Sequence, residues 1–312
     1  MSLISLLYRG SLASCNYHCP YCPFAKIRDS RASLARDAGQ LARFTDWIAS
    51  QEDPGQSFNL LFTPWGEALT RRHYRQAIIR LSRLPQVARV AIQTNLSIRP
   101  LWLADAQTEK VALWCTYHPG ETPRAAFLQR LAQLAEMRVR HSVGSVGLRA
   151  HWPEIGALRQ ALPPETYLWI NAYQDPDGKT DPAYYSAAEA DWLSAIDPWF
   201  PGNRQPPASL GAPCRAGESA LSVDGEGGLR ACHFRPEPRG NLYQENWRQT
   251  LSRGTCPQPR CDCYIGYILR HDLPQGAEFG LGDLARTPPD FHWQRPTGWP
   301  AEGPATQLSA YV

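Results

Sequence analysis

The sequence predicts an α/β fold in which a parallel sheet is covered by helices. Apolar runs of strand length alternate with stretches of helical periodicity, and about six such units follow one another along the 312 residues. This length allows one large domain with a smaller appendage. Six units are too few for a closed eight-stranded barrel. An incomplete barrel and a doubly wound sheet both stay open at this stage.

The predicted strands are short apolar segments, and the predicted helices lie between them. The strands cover residues 3–8, 59–63, 89–94, 111–117, 139–146 and 167–173. Thr70 is predicted to N-cap one helix, a second follows Pro123, and Ser186 with Glu189 forms a capping box before a third. Their apolar positions at helical spacing are Tyr74, Ile78 and Leu81, then Phe127, Leu131 and Leu134, then Trp192 and Ile196.

Three cysteines, Cys15, Cys19 and Cys22, stand on one short loop directly after the first predicted strand. The spacing C-x3-C-x2-C offers three thiolates, enough to hold three irons of a [4Fe–4S] cube and leave the fourth iron open to a substrate or cofactor. Zinc prefers four ligands in paired units. Disulfides need an oxidising compartment, and we see no signal-peptide pattern before the loop. A cluster loop is therefore favoured over both alternatives.

The composition limits the class of protein. The hydrophobic content of 43% is ordinary for a soluble chain, and no apolar run is long enough to span a membrane. The net charge of +3 does not indicate a nucleic-acid partner. Eight of the nine cysteines fall in two groups, which indicates metal binding in a reducing compartment and hence the cytoplasm. The ninth, Cys115, is predicted to be a small buried apolar residue.

The cysteine loop, with the aromatic Tyr21 before its third cysteine, resembles the signature of the radical SAM superfamily. The resemblance implies a partial (βα)6 TIM-like barrel. It also implies that the open iron binds S-adenosylmethionine (AdoMet), whose reductive cleavage yields a 5′-deoxyadenosyl radical that takes hydrogen from a substrate. An external reductant such as flavodoxin or ferredoxin would supply the electron.

The same resemblance assigns AdoMet contacts to residues at the carboxyl ends of strands, where β/α barrels carry their reactive groups. Gly66 and Glu67 stand where the family has Gly-Gly-Glu against the AdoMet amino group, and Trp65 replaces the first glycine. For Glu67 the alternative is a solvated turn residue. For Asn95 it is a turn, and for His118 a structural role. The full set of AdoMet candidates is Tyr21, Gly66, Glu67, Thr94, Asn95, His118, Gly144 and Asn171.

A second cysteine group follows a proline-rich segment at 198–213. Cys214, Gly227 and Cys232 form the pattern C-x12-G-x4-C around a predicted hairpin, whose strands 220–223 and 229–231 flank a glycine-rich turn. Cys214 and Cys232 are therefore expected to lie near each other across a small sheet. The remaining members are Cys256, Cys261 and Cys263.

This second group resembles the SPASM and twitch extensions of radical SAM enzymes. The resemblance implies an auxiliary [4Fe–4S] cluster held by four of the five cysteines, and a twitch-like module suits five cysteines better than a full SPASM module. A zinc site built from four of the five is the alternative. The predicted domains are a barrel over 1–200, an auxiliary module over 201–275 and an irregular tail over 276–312. That tail is expected to pack on the body through Trp293, Trp299 and Tyr311.

Together these features predict a radical SAM enzyme that oxidises or cross-links its substrate, with no catalytic residue assigned. A peptide or protein substrate is preferred, and a small molecule is the alternative. The auxiliary cluster would accept the electron left after hydrogen abstraction or would bind the substrate. A non-catalytic iron–sulfur electron carrier is a further alternative, although six βα units exceed what a carrier needs. A zinc-stabilised nucleic-acid binder would require a basic face.

Overall fold

The computed structural model describes residues 2–24, 27–175, 181, 183–280 and 284–304. Most of its strands join one nine-stranded sheet, and a separate two-stranded sheet lies in the C-terminal part. The strands are β1 (Ser2–Arg9), β2 (Gln56–Phe62), β3 (Val87–Thr94), β4 (Val111–Thr116), β5 (Arg140–Val146), β6 (Leu168–Asn171), β7 (Pro213–Cys214), β8 (Ala220–Asp224), β9 (Gly228–Arg230), β10 (Gly240–Asn241) and β11 (Gly254–Thr255).

The helices cover the outer face of the sheet, except for two short ones near the C-terminus. They are α1 (Arg31–Ala49), α2 (Arg72–Ser82), α3 (Arg124–Glu136), α4 (Trp152–Ala161), α5 (Ala187–Ser194), α6 (Phe200–Arg204), α7 (Tyr264–Leu269) and α8 (Gln275–Glu278). All six predicted strands are present, with ends that differ by at most three residues. Three of these helices, α2, α3 and α5, are predicted from the sequence, and the other five are not.

Strands β1 to β6 pair in parallel and in chain order. A doubly wound sheet reverses its order at a switch point, and the order of β1 to β6 shows no such reversal. The predicted α/β fold with a partial (βα)6 barrel is therefore confirmed. Strand β8 pairs in parallel with the free edge of β1 and with β9 in an antiparallel hairpin, which carries the sheet beyond the barrel. The predicted hairpin is present, and Gly227 in its turn has a φ of 83°.

Two of the predicted helix starts differ in outcome. The capping box of Ser186 and Glu189 is confirmed at the start of α5. The prediction that Thr70 caps α2 is wrong, because the N-cap is Arg71. Thr70 instead ends a 3₁₀ turn, Ala68–Thr70, and its hydroxyl donates to the Glu67 carbonyl at 2.7 Å. Glu67 N-caps that 3₁₀ turn, because its side chain accepts the Leu69 N–H. The 3₁₀ turn is therefore complete before α2 begins.

The sheet has an apolar core on each face. On the outer face, residues such as Leu6, Phe62 and Cys115 pack against the helices, and the predicted burial of Cys115 is confirmed. On the inner face, Leu7, Leu61 and Trp114 belong to the same core as the apolar side of α7. The C-terminal part thus fills the inside of the partial barrel.

The tail packs on the body where the structure describes it. Trp299 stacks on Trp192 with ring centroids 5.4 Å apart, and the Trp293 indole donates to the Ala195 carbonyl at 2.9 Å. Tyr311 lies outside the described residues. The predicted domain limits near 200 and 275 stay predictions. Among the described residues, no helix is long and apolar enough to cross a membrane.

Candidate functional site

The cysteine loop lies over the carboxyl ends of the strands and closes one side of a cavity of about 400 Å³. Cys15, Cys19 and Cys22 all line this cavity. Seven of the eight residues proposed for AdoMet line it as well, namely Tyr21, Gly66, Glu67, Thr94, Asn95, His118 and Asn171. Thus the fold brings together side chains from four strand ends and the loop, which are far apart in sequence.

Gly66 lets the end of β2 approach the cysteine loop closely. A Cβ atom on Gly66 would overlap the carbonyl group of Ser14, the residue before Cys15. The next backbone N–H, that of Glu67, donates to this same carbonyl at 3.1 Å. The glycine is therefore explained by its contact with the loop backbone. Trp65, at the position of the missing glycine, is partly exposed at the mouth, where Arg9 lies 4.0 Å over its ring.

Glu67 is fully buried and joins the ends of β2 and β3. Its Oε1 accepts the Leu69 N–H at 3.0 Å and the Thr94 hydroxyl at 2.8 Å, and its Oε2 accepts the Asn95 N–H at 2.5 Å. Burial raises the pKa of this carboxyl to about 7, against the effect of those three donors. The alternative of a solvated turn residue is wrong. One lone pair on Oε2 is left for a ligand.

Asn95 continues the connection to the cysteine loop. Its Nδ2 donates to Cys15 Sγ at 3.7 Å and to the Asn16 side chain at 3.0 Å. Its Oδ1 accepts the Ser97 N–H at 2.9 Å, which is the turn expected as the alternative for this residue. Cys15 Sγ also accepts the Tyr17 N–H at 3.4 Å. Two N–H donors therefore point at this sulfur, an arrangement that stabilises a thiolate bound to iron.

His118 lies against the cysteine loop. Its Nδ1 is 2.9 Å from the Tyr21 hydroxyl and 3.4 Å from Cys19 Sγ. Burial lowers the pKa of His118 to about 4, so the imidazole is neutral at physiological pH. Burial likewise raises the pKa of the Cys19 thiol to about 12. A cation bound to this sulfur, such as the iron of an iron–thiolate bond, would lower the pKa of the Cys19 thiol and favour the thiolate.

We expect the stability of the protein to depend on the ionisation of Glu67. Its folded pKa of about 7 lies above the ordinary value of 4.5. The stabilisation that protonated Glu67 contributes to the folded state is therefore fully present below about pH 4.5 and is lost as the pH rises through about 7. Relative to Glu67→Gln, the wild type should lose on the order of 3 kcal/mol between pH 5 and 8. Denaturant unfolding of both proteins at each pH measures this. Glu109→Gln, at an exposed position, is the control, and a pH-independent difference for Glu67→Gln would contradict the assignment.

The second cysteine group also surrounds one pocket. All five of its cysteines, Cys214, Cys232, Cys256, Cys261 and Cys263, line it. Cys214 ends β7, which pairs with β11 instead of with the hairpin, and Cys232 follows the hairpin strand β9. The two cysteines meet as predicted, but they do so from two different sheets. Burial raises the pKa of Cys232 to about 11, and the nearby Cys214 adds to this effect.

Backbone N–H groups act on four of these five thiols. Cys214 accepts the Ala216 N–H at 3.4 Å, as Cys15 accepts that of Tyr17 in the first loop. For Cys232, Cys261 and Cys263, the backbone N–H two residues later opposes the rise in pKa that burial causes. No such bond is found for Cys256 in the described part of the chain. Gly266 makes room for this group, because a Cβ there would overlap Cys261 Sγ. N–H donors to sulfur are one means by which proteins tune iron–sulfur clusters.

The arrangement of the thiols bears on the zinc alternative. Zinc ligands about 2.3 Å from one ion lie within ~4 Å of one another. Within the described residues, no three His, Cys, Asp or Glu side chains are grouped to hold a single metal ion. The choice between zinc and an iron–sulfur cluster therefore stays a prediction at both sites.

Comparison with protein-family models and with curated proteins finds no match. Among solved structures, the chain is similar to anSMEcpe, an anaerobic sulfatase-maturating radical SAM enzyme. Its structure with bound AdoMet and a peptide matches with a TM-score of 0.53 and 13% identity, over 81% of this chain and 81% of that chain. Its structure with bound AdoMet gives 0.52 and 14%, over 80% of each. The chain shares the fold of this enzyme.

Within this shared fold, the cavity contains residues that the sequence does not predict and lacks one that it does. Gly144 does not line the cavity, because the Trp169 indole lies where a Cβ on Gly144 would be. Gln93, Thr116 and Trp169 line the cavity instead, together with Arg286 from the tail. The alternation of side chains along β3 predicts this position of Gln93. Gln93 and Ala91 lie on the inner face of the sheet, whereas Thr94 points to the other face.

Proposed function

We propose that the chain is a radical SAM enzyme that takes a hydrogen atom from a peptide or protein substrate. The observation that carries the proposal is the single cavity that joins Cys15, Cys19 and Cys22 to the polar strand ends. These three cysteines would hold a [4Fe–4S] cluster. When bound, that cluster supplies the electron that cleaves AdoMet to methionine and a 5′-deoxyadenosyl radical.

The protein residues have distinct parts in this proposal. Glu67 and Asn95 hold the cysteine loop over the strand ends through their hydrogen bonds. Asn171 and Thr116 line the cavity, and within the described part of the chain their side chains have no protein partner, so they are available to AdoMet. Tyr21 and His118 pack behind Cys19 and keep water from that sulfur.

The second pocket would hold an auxiliary [4Fe–4S] cluster through four of its five cysteines. Its support is the convergence of those thiols and the repeated N–H donors to sulfur. In this proposal the auxiliary cluster receives the electron left on the substrate or binds the substrate directly. Flavodoxin or ferredoxin would reduce the first cluster. A non-catalytic electron carrier is disfavoured, because a carrier has no use for a cavity of this size beside its cluster.

A peptide substrate is supported by the rim of the cavity and by one neighbour. Phe24, Ile27 and Trp65 leave large apolar surfaces exposed at the mouth, and the rings of Phe24 and Trp65 are 4.8 Å apart. Exposed aromatic pairs of this kind suit a chain of amino acids. The anSMEcpe structure was determined with a bound peptide. A radical SAM enzyme that acts on a small metabolite stays the second candidate.

Anaerobic reconstitution with iron, sulfide, AdoMet and dithionite tests this function. We expect release of 5′-deoxyadenosine, detected by chromatography and mass spectrometry. A cluster that is reduced but never cleaves AdoMet would support the electron carrier instead. Protein that binds zinc and neither iron nor sulfide would contradict both proposals.

A further inference from the structure

Arg286 is a buried arginine that forms no ion pair within the described part of the chain. Only 5% of its surface is exposed, and its Nε is buried without a hydrogen-bond acceptor. Within the residues that the structure describes, Arg286 takes part in no ion pair and no hydrogen bond. Burying a guanidinium unpaired is costly. A fold that accepts this cost at the wall of a cavity leaves a charge free for a ligand.

The neighbours of Arg286 hold its charge without using its N–H groups. The guanidinium carbon lies 4.0 Å from the ring of Trp169, 4.2 Å from that of Tyr264 and 5.5 Å from that of Trp114. Aromatic faces attract the cation but do not match the planar fork of donors. The charge of Arg286 also acts on Asp197 and on the Cys263 thiol of the second pocket. The Asp197 oxygens already accept from Tyr167, Ile170 and Trp199.

Arg286 has an energetically unfavourable backbone conformation that positions its side chain. Arg286 has a φ of 54°, in the left-handed region that non-glycine residues rarely adopt. The preceding segment is fixed, because the Trp114 indole donates to the Leu284 carbonyl at 2.9 Å and both Leu284 and Ala285 are buried. A strained residue anchored in this way is typical of a functional position.

Arg286 and the cysteine loop lie at different depths of the same cavity. The loop contacts His118, which follows the end of β4 by two residues. Arg286 contacts Trp114, which precedes that end by two. Four residues of extended chain span about 13 Å. A group that reaches Arg286 therefore extends from the cysteine-loop end of the cavity toward the barrel interior.

We propose that Arg286 binds a carboxylate of the substrate, which makes the substrate acidic. This inference rests on the proposal that the cavity accepts a substrate. A guanidinium fork pairs with a carboxylate through two parallel N–H···O bonds. Trp169 and Tyr264 would pack against the apolar atoms next to that carboxylate. Side-chain carboxylates and the C-terminus of a peptide have this chemistry, and so does a small organic acid.

The test uses 4-fluorobenzoate as the probe, with 4-fluorobenzamide as its uncharged counterpart. Fluorine NMR line widths are titrated on the reconstituted protein at saturating AdoMet. We expect the acid to bind at least about tenfold more tightly than the amide. Arg286→Met should weaken binding of the acid by about tenfold or more, and Arg286→Lys, which keeps the charge but loses the fork, by less. Arg36→Met, an exposed arginine on α1 that does not line the cavity, is the control and should change nothing.

Two results would overturn the inference. One is equal binding of acid and amide, and the other is unchanged acid binding by a folded Arg286→Met or Arg286→Lys variant. A third measurement separates the two possible carboxylates. AdoMet affinity, measured by equilibrium dialysis, should be the same in Arg286→Met and wild type; a loss of about tenfold would assign Arg286 to the AdoMet carboxylate instead. None of these readouts needs AdoMet cleavage, so failure of the proposed enzyme activity is recognised separately by the absence of 5′-deoxyadenosine.

Discussion

Replacing Cys15, Cys19 and Cys22 together with alanine is expected to abolish AdoMet cleavage and leave about half of the iron bound. The first cluster loses all of its protein ligands, whereas the cysteines of the second pocket lie in a separate part of the chain. Two [4Fe–4S] clusters hold about eight irons, so the variant should retain about four. Iron and sulfide analysis of anaerobically reconstituted protein, with an assay for 5′-deoxyadenosine, measures both effects.

The matched control for this triple variant is Cys115→Ala. Cys115 is fully buried in the outer core, away from both pockets, so its loss removes a thiol without touching a cluster. We expect about eight irons and normal cleavage from it, at a stability cost of about 1 kcal/mol. A triple variant that holds no iron would contradict the second cluster. A triple variant that still releases 5′-deoxyadenosine would contradict the first.

Replacing Cys232 or Cys214 with alanine is expected to remove the auxiliary cluster and spare AdoMet cleavage. Each thiol is partly buried in the second pocket and accepts a backbone N–H. Each variant should bind about four irons. It should still release 5′-deoxyadenosine slowly without substrate, within about threefold of the wild-type rate, because the first cysteine loop is intact. Product formation on the true substrate should stop, because the electron has no acceptor.

Cys256→Ala is the companion variant for the auxiliary site. Cys256 lines the pocket but lacks the N–H donor that the other four thiols share. A drop to about four irons would place Cys256 among the ligands, and retention of about eight would exclude it. Retention of about eight irons by both Cys214→Ala and Cys232→Ala would contradict the auxiliary cluster altogether.

The sheet and the cysteine loop were predictable because their signals are local. Strand runs such as 111–117 and the spacing of Cys15, Cys19 and Cys22 are legible in a few consecutive residues. The order of parallel strands was not legible. It depends on the pairing of β1 with β2 and onward, which joins residues that are between 21 and 54 positions apart. For this reason the sequence left the doubly wound alternative open.

The polar residues of the cavity were only partly predictable. Glu67 is predictable from its position after β2. Two of its three donors come from the end of β3, so its burial and raised pKa are not predictable from the local sequence. Gln93 was missed although strand alternation places it on the inner face. Arg286 had no sequence signal at all. It comes from a tail without regular structure and reaches the cavity only through packing against Trp114 and Trp169.

The central claim is that three thiolates hold a [4Fe–4S] cluster whose open iron binds AdoMet in the cavity at the strand ends. Electron paramagnetic resonance of the dithionite-reduced Cys232→Ala variant, with and without AdoMet, tests it most directly, because only the first cluster contributes to the spectrum. We predict a reduced [4Fe–4S] signal whose g values shift when AdoMet is added, as direct coordination of one iron requires. A signal that AdoMet leaves unchanged, or a variant with no reducible cluster, would contradict the claim.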